Sequence, residues 1–135
     1  MTKEEIMTIE AGEELDRLVA TEVMGEPIPE FTPEDALDLQ LAGSPVKSPQ
    51  GNWRCLCKYD EGDIPTWRPV PYSTDISAAW LVAEKMITEY GDFIIDYDKS
   101  YNDGRWSAGV DKLRVAAMAK TAPEAICKAA LLAKQ

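Results

Sequence analysis

The 135-residue chain contains no histidine. That absence removes the serine–histidine–aspartate and cysteine–histidine nucleophile systems, and every metal site that needs an imidazole. Cysteine is scarce. Three residues, with Cys55 and Cys57 only one apart, make a poor disulfide framework and predict reduced, mostly buried thiols. Without histidine they also fall short of a structural zinc site. The eight glycines are scattered as stops and turns, so no phosphate-cradling loop is formed. No basic helix and no basic-plus-aromatic run of the nucleic-acid-binding kind occurs. No apolar run approaches the roughly 20 residues that span a bilayer. Met1-Thr2-Lys3-Glu4-Glu5 has neither the basic start nor the apolar stretch of a secretion leader. A soluble cytoplasmic protein without membrane, nucleic acid, metal or cofactor is the expectation.

Basic residues are also few, 14 against 24 acids, for a net charge of −10. The deficit is local. Residues 1–40 hold twelve acids against Lys3 and Arg17 alone, and residues 41–135 are balanced. The intact protein therefore repels phosphate backbones in general, while a cationic pocket in the neutral remainder stays open to it. The acidic third reads first as a solvated helix face and second as a patch for a basic partner.

What is present is enough for one compact domain over residues 1–135, with an irregular, proline-rich connection at about 26–52. Thr2 and Glu5 are spaced as a capping box. A helix follows from about Ala11 to Met24, with Leu15, Leu18, Val19 and Val23 as its stripe and Gly25 as its stop. Thr32-Pro33-Glu34-Asp35 opens a short helix, with Leu37 and Leu41 one turn apart and Gly43 behind them. Trp53 to Tyr59 alternates as a strand, with Trp53, Cys55, Cys57 and Tyr59 on one face. Asp60-Glu61-Gly62-Asp63 turns the chain, and Pro65 to Tyr72 is extended.

Ser73, Thr74 or Asp75 then caps a helix with the apolar series Ile76, Ala79, Trp80, Ala83, Met86, Ile87 and Tyr90, stopped by Gly91. Strands are predicted at Phe93–Tyr97, Arg105–Val110 and Leu113–Ala119, joined as a meander by hairpin-length links. The closing helix starts at Thr121-Ala122-Pro123-Glu124. Ala122, Ile126, Ala129, Ala130 and Ala133 give it a narrow apolar face, and no residue in it is expected to serve a site. Helices before and after a small, mostly antiparallel sheet predict an α+β (α/β) fold, a three-layer helix–sheet–helix sandwich.

Three phrases in order carry a resemblance. They are Ala11-Gly12-Glu13-Glu14-Leu15-Asp16-Arg17-Leu18-Val19-Ala20 with Val23-Met24-Gly25, then Tyr72-Ser73-Thr74-Asp75-Ile76-Ser77-Ala78-Ala79-Trp80 through Glu84-Lys85-Met86, and last Thr121 through Ala133. Together the chain resembles the small phage and prophage proteins grouped as the phage ABA sandwich domain. The resemblance implies a helix–sheet–helix sandwich and a phage accessory protein acting in the host bacterial cytoplasm. It brings no catalytic residues with it.

For chemistry, the approach to the central helix is the richest segment. Trp67, Arg68, Tyr72, Ser73 and Thr74 precede a helix start that favours an anion. An arginine adds paired donors, and an aromatic ring offers a stacking face for a base. Arg54 and Lys58, with Arg105 and Trp106 from a later strand, are expected to converge on the same region as a pocket for a small, anionic, nucleotide-like ligand. The competing reading makes Ser73 a plain helix cap and Trp67 a core residue. Asp96 and Asp98 share a strand face near Asp103, where they either hold a metal or keep a hairpin tip soluble.

Three functions remain open from the sequence. The first is a non-enzymatic anti-defence binder that sequesters a nucleotide-type signal, with Arg54, Trp67, Arg68, Tyr72, Ser73, Thr74, Arg105 and Trp106 as its site. The second is an acidic inhibitor of a host or defence protein, resembling DNA in charge. The third is a metal-dependent hydrolase using Asp96 and Asp98. Sheet edges and the alanine-rich face leave room for a homo-oligomer.

Overall fold

The computed structural model describes residues 1–27, 34–37, 47–48, 51–56, 66–100 and 104–135. Most of the proline-rich connection lies outside the described residues. So do Leu41, Gly43, Cys57, Lys58, Tyr59, the turn at Asp60–Asp63, Pro65 and Asp103.

Helix α1 (Lys3–Thr8) starts on the expected capping box, in which Thr2 Oγ1 accepts from Glu5 N and Glu5 Oε2 accepts from Thr2 N. Helix α2 (Glu13–Leu18) is shorter than its apolar stripe suggests, because Val19–Val23 widens into a π-helical turn. Met24 N there reaches back five residues to Val19 O, at 2.9 Å. The wider turn still buries Val19, Ala20 and Val23. Strands β1 (Arg54–Leu56) and β2 (Thr66–Arg68) form a two-stranded antiparallel ladder.

Helix α3 (Ile76–Tyr90) is capped by Asp75, whose carboxylate accepts from Ser77 N at 3.0 Å, and it ends at Gly91 with a φ of 85°. Its apolar face is rotated from the expected one. Ala78, Ala79, Val82, Ala83 and Met86 are buried, whereas Ile76, Trp80 and Ile87 are exposed. Small side chains face inward because the helix beneath is itself lined with alanine, and two such surfaces approach closely.

Strands β3 (Ile94–Asp98), β4 (Arg105–Val110) and β5 (Val115–Ala119) form an antiparallel sheet in that order, with Ile95, Ala108 and Ala117 in register on the covered face. β5 begins two residues later than its pattern predicts. Asp111–Leu113 forms a 3-10 turn and Arg114 adopts a left-handed φ of 55°, while Asp92 accepts from Asp111 N and Lys112 N.

Helix α4 (Ala122–Ala133) is capped by Thr121. The α+β class and the packing of helix on sheet are those expected. The stacking order has one particular feature: α4 packs against β4 and β5, and also against α3, α1 and the π turn, while α3 makes no comparable contact with a strand. The closing helix is thus the middle layer, and Ala125, Ile126, Cys127, Ala129, Ala130 and Leu131 are fully buried. No helix of the described residues is long and apolar enough to cross a membrane.

Candidate functional site

Arg54 and Arg68 are direct cross-strand partners in the β1–β2 ladder. Opposite residues in an antiparallel pair project to the same face, and both line a cavity of about 320 Å³. Gly12, Glu13 and Asp16 from the start of α2 form another part of its wall, and Pro69, Pro71 and Thr74 complete it.

The charges around the cavity are unevenly matched. Arg68 Nε lies 3.5 Å from Glu13 Oε2, and Glu13 Oε1 also accepts from Arg17 at 2.5 Å. Arg17 in turn lies over the Trp53 ring, 5.7 Å from its centroid. Arg54 is exposed and has no ion-pair partner among the described residues. Arg68 therefore shares the single Glu13 charge with Arg17, and Arg54 has no counter-ion among the described residues.

A buried hydrogen-bond lock shapes the wall. Asp16 Oδ1 accepts from Ser73 N at 2.7 Å and from Ser73 Oγ at 2.6 Å, and Ser73 Oγ accepts from Gly12 N at 2.9 Å. This ties the start of α2 to the approach to α3. Burial raises the Asp16 carboxyl above its ordinary titration range; the two bonds from Ser73 act against the shift, and the nearby Glu13 charge adds to it. Asp16 looked like one more solvated acid in a helix's first turn, yet it is 5% exposed. Its only sequence signal was the pairing of an acid near one helix start with a serine before another.

The remaining expected site residues are placed as follows. Thr74 is at the cavity with Arg54 and Arg68. Ser73 and Tyr72 are fully buried and point to interior partners. Ser73 is neither the cap of α3 nor a ligand contact, because Asp75 takes the cap and Asp16 takes Ser73. The Tyr72 hydroxyl donates to Glu26 Oε1 at 3.2 Å and accepts from Asn52 Nδ2 at 3.3 Å, and burial pushes its titration upward. Trp67 alternates to the other face of β2 from Arg68 and packs on the core. Trp106 pairs with Tyr97, ring centroids 5.1 Å apart. Arg105 lines a different cavity, with Lys120 and Lys128. The expected convergence of Arg105 and Trp106 on Arg54 therefore does not occur: they belong to the other sheet, and among the described residues no aromatic ring lines the arginine cavity.

Asp96 and Asp98 are exposed on one strand face, and Asp98 lies opposite Arg105. Ser100 holds the Asp98 carboxyl below the usual range, first through its side chain and then through its backbone N–H, which donates to Asp98 Oδ1 at 2.9 Å. Among the described residues no group of three or more histidine, cysteine, aspartate or glutamate side chains is placed to hold a metal ion. Cys127 is fully buried, and burial pushes its thiol well up, as for an inert core residue.

No curated protein matches this chain significantly. Among solved structures it is similar to a crystal structure of a phage protein from Bacillus cereus ATCC 14579, at 23% identity over 92% of each chain with a TM-score of 0.51. That likeness concerns the fold alone. The family model of the phage ABA sandwich domain matches residues 17–131, which include Arg54, Arg68, Pro69, Pro71 and Thr74 of the arginine cavity and α4 as far as Leu131, and the chain belongs to that family.

Proposed function

We propose that this phage-family protein is a non-enzymatic accessory factor that captures a small, anionic, nucleotide-type ligand of a bacterial defence system and so withdraws the signal. The observation that carries this reading is the Arg54–Arg68 pair. Like charges placed directly opposite on a ladder repel each other, and Glu13 offsets only one of them. A phosphate between them relieves the repulsion and accepts two sets of charge-assisted hydrogen bonds. The Thr74 side chain lies on the same wall. Among the described residues Pro69 and Pro71 supply the apolar lining, and the phosphate contacts carry the binding.

Isothermal calorimetry against a panel of cyclic and linear nucleotides tests it. Stoichiometric binding is expected, weakened by about tenfold or more in Arg54→Ala, with the ligand recovered intact after the protein is denatured. Absence of binding across the panel overturns the reading, and recovery of a cleaved ligand overturns its non-enzymatic part.

A second reading rests on the exposed acids Glu4 and Glu5 of α1, Glu10 after it, Glu14 of α2 and Glu22 of the π turn, which offer a surface to a basic host or defence protein. Reversing Glu4, Glu14 and Glu22 to lysine abolishes such a complex and leaves nucleotide uptake intact.

A further inference from the structure

Glu10 and Ala11, which precede Gly12 of the arginine cavity, line a second, larger cavity of about 510 Å³. Its wall combines Arg105 at the start of β4, Lys120 after β5 and Lys128 from the interior of α4, with Glu10 and Glu124 among them. Three cations from three separate elements meet here in a protein whose net charge is −10.

Lys128 is the informative one. Its side chain is 5% exposed, and its ammonium donates to Met7 O at 3.0 Å and Glu124 Oε2 at 3.1 Å. An ammonium has three donors. Two are committed to those partners, and the third belongs to a buried group that lines the cavity. A buried donor left over is costly in a desolvated place unless something accepts from it. Lys120, exposed at the rim, has no ion-pair partner among the described residues. Arg105 also lines the wall, with its Nη1 donating to Gly104 O at 3.1 Å, and its guanidinium is a planar fork of the kind that matches phosphate oxygens.

We infer that this cavity is a second anion site, which binds a phosphoryl group through Lys128, Lys120 and Arg105. Met7, Ile9 and Met118 flank the cations and give the remainder of a ligand an apolar surface. The same chemistry is offered by free inorganic phosphate and by the phosphate of a mononucleotide. Among the described residues the site shares no lining residue with the arginine cavity.

Amide-resolved NMR titration of the full chain with inorganic phosphate, and separately with adenosine monophosphate, tests it. The expected result is saturable shifts at Lys120, Glu124 and Lys128, with dissociation constants of about 1 mM or tighter. Lys120→Ala weakens them by about tenfold, Lys128→Met abolishes them, and Arg54→Ala leaves them unchanged. Tighter binding of the mononucleotide than of phosphate identifies the nucleotide as the source, and equal binding identifies the free ion. If neither probe shifts these amides, or if Lys120→Ala binds as the parent does, the inference is overturned. Because Lys120 is exposed, that variant stays informative even if Lys128→Met fails to fold. Loss of these shifts in Arg54→Ala would also overturn it, by assigning the anion to the other cavity.

Discussion

Two charged side chains lie inside this protein among the described residues, Asp16 and Lys128, and the comparison between them explains much of its design. Both hold the same stretch of chain. Lys128 grips the Met7 carbonyl, and Asp16 grips Ser73, which grips Gly12. The segment between α1 and α2 is thus fixed at both ends from the interior, and its residues line both cavities. The two charges differ in how they are balanced. Lys128 has a carboxylate one helical turn behind it, whereas Asp16 makes no ion pair among the described residues, takes its hydrogen bonds from the neutral Ser73, and has the like charge of Glu13 nearby. A buried charge with a counter-ion depends on that partner; one without leans towards its neutral form.

That difference can be broken in order of size. Lys128→Ala leaves Glu124 without its counter-charge beside a new void, and is expected to cost about 3 kcal/mol in urea unfolding. Ser73→Ala removes one donor from Asp16 and the acceptor of Gly12 N, a smaller loss of about 2 kcal/mol. The gentlest probe is Asp16→Asn, read as stability against pH. An acid raised above its ordinary value of 3.8 binds its proton more tightly in the folded state. Its contribution therefore turns unfavourable as pH rises from that value through the folded one, and is absent below. Asparagine keeps an oxygen for Ser73 but cannot titrate. The curves of parent and variant should differ little in acid and separate as pH rises, in favour of the variant. Parallel curves would show that the Asp16 charge is tolerated without cost.

Much of the scaffold was legible in the residues themselves. Thr2 with Glu5 and Thr121 cap where local chemistry says they should, Asp75 takes the cap left open among Ser73, Thr74 and Asp75, and β4 has the bounds predicted for it. These are short-range matters of hydrogen bonding and side-chain period. Lys128 was not legible. A one-sided apolar stripe describes a helix on a surface, and nothing in it reveals a second layer closing over the polar side. Ile76, Trp80 and Ile87 were assigned inward for a related reason: size suggested burial, whereas the alanine-lined partner selects small residues. At the arginine cavity, Arg54, Arg68 and Thr74 were found because they sit on or beside one extended segment and its strand partner. Asp16 and Glu13 were missed because their place in the wall depends on a contact 57 residues away in sequence, from Asp16 to Ser73.

The position of α4 between the sheet and the other helices also bears on how the chain acquires its shape during synthesis. Helices α1 to α3 and all five strands precede it, yet most of their apolar surface has no counterpart until residues 122–133 exist. A ribosome must have passed Ala133 before either outer layer has something to close on. Closure of the two outer layers on each other therefore depends on a single helix. Changes in α4 should for this reason reduce the yield of folded protein in cells more than equally buried changes in the sheet.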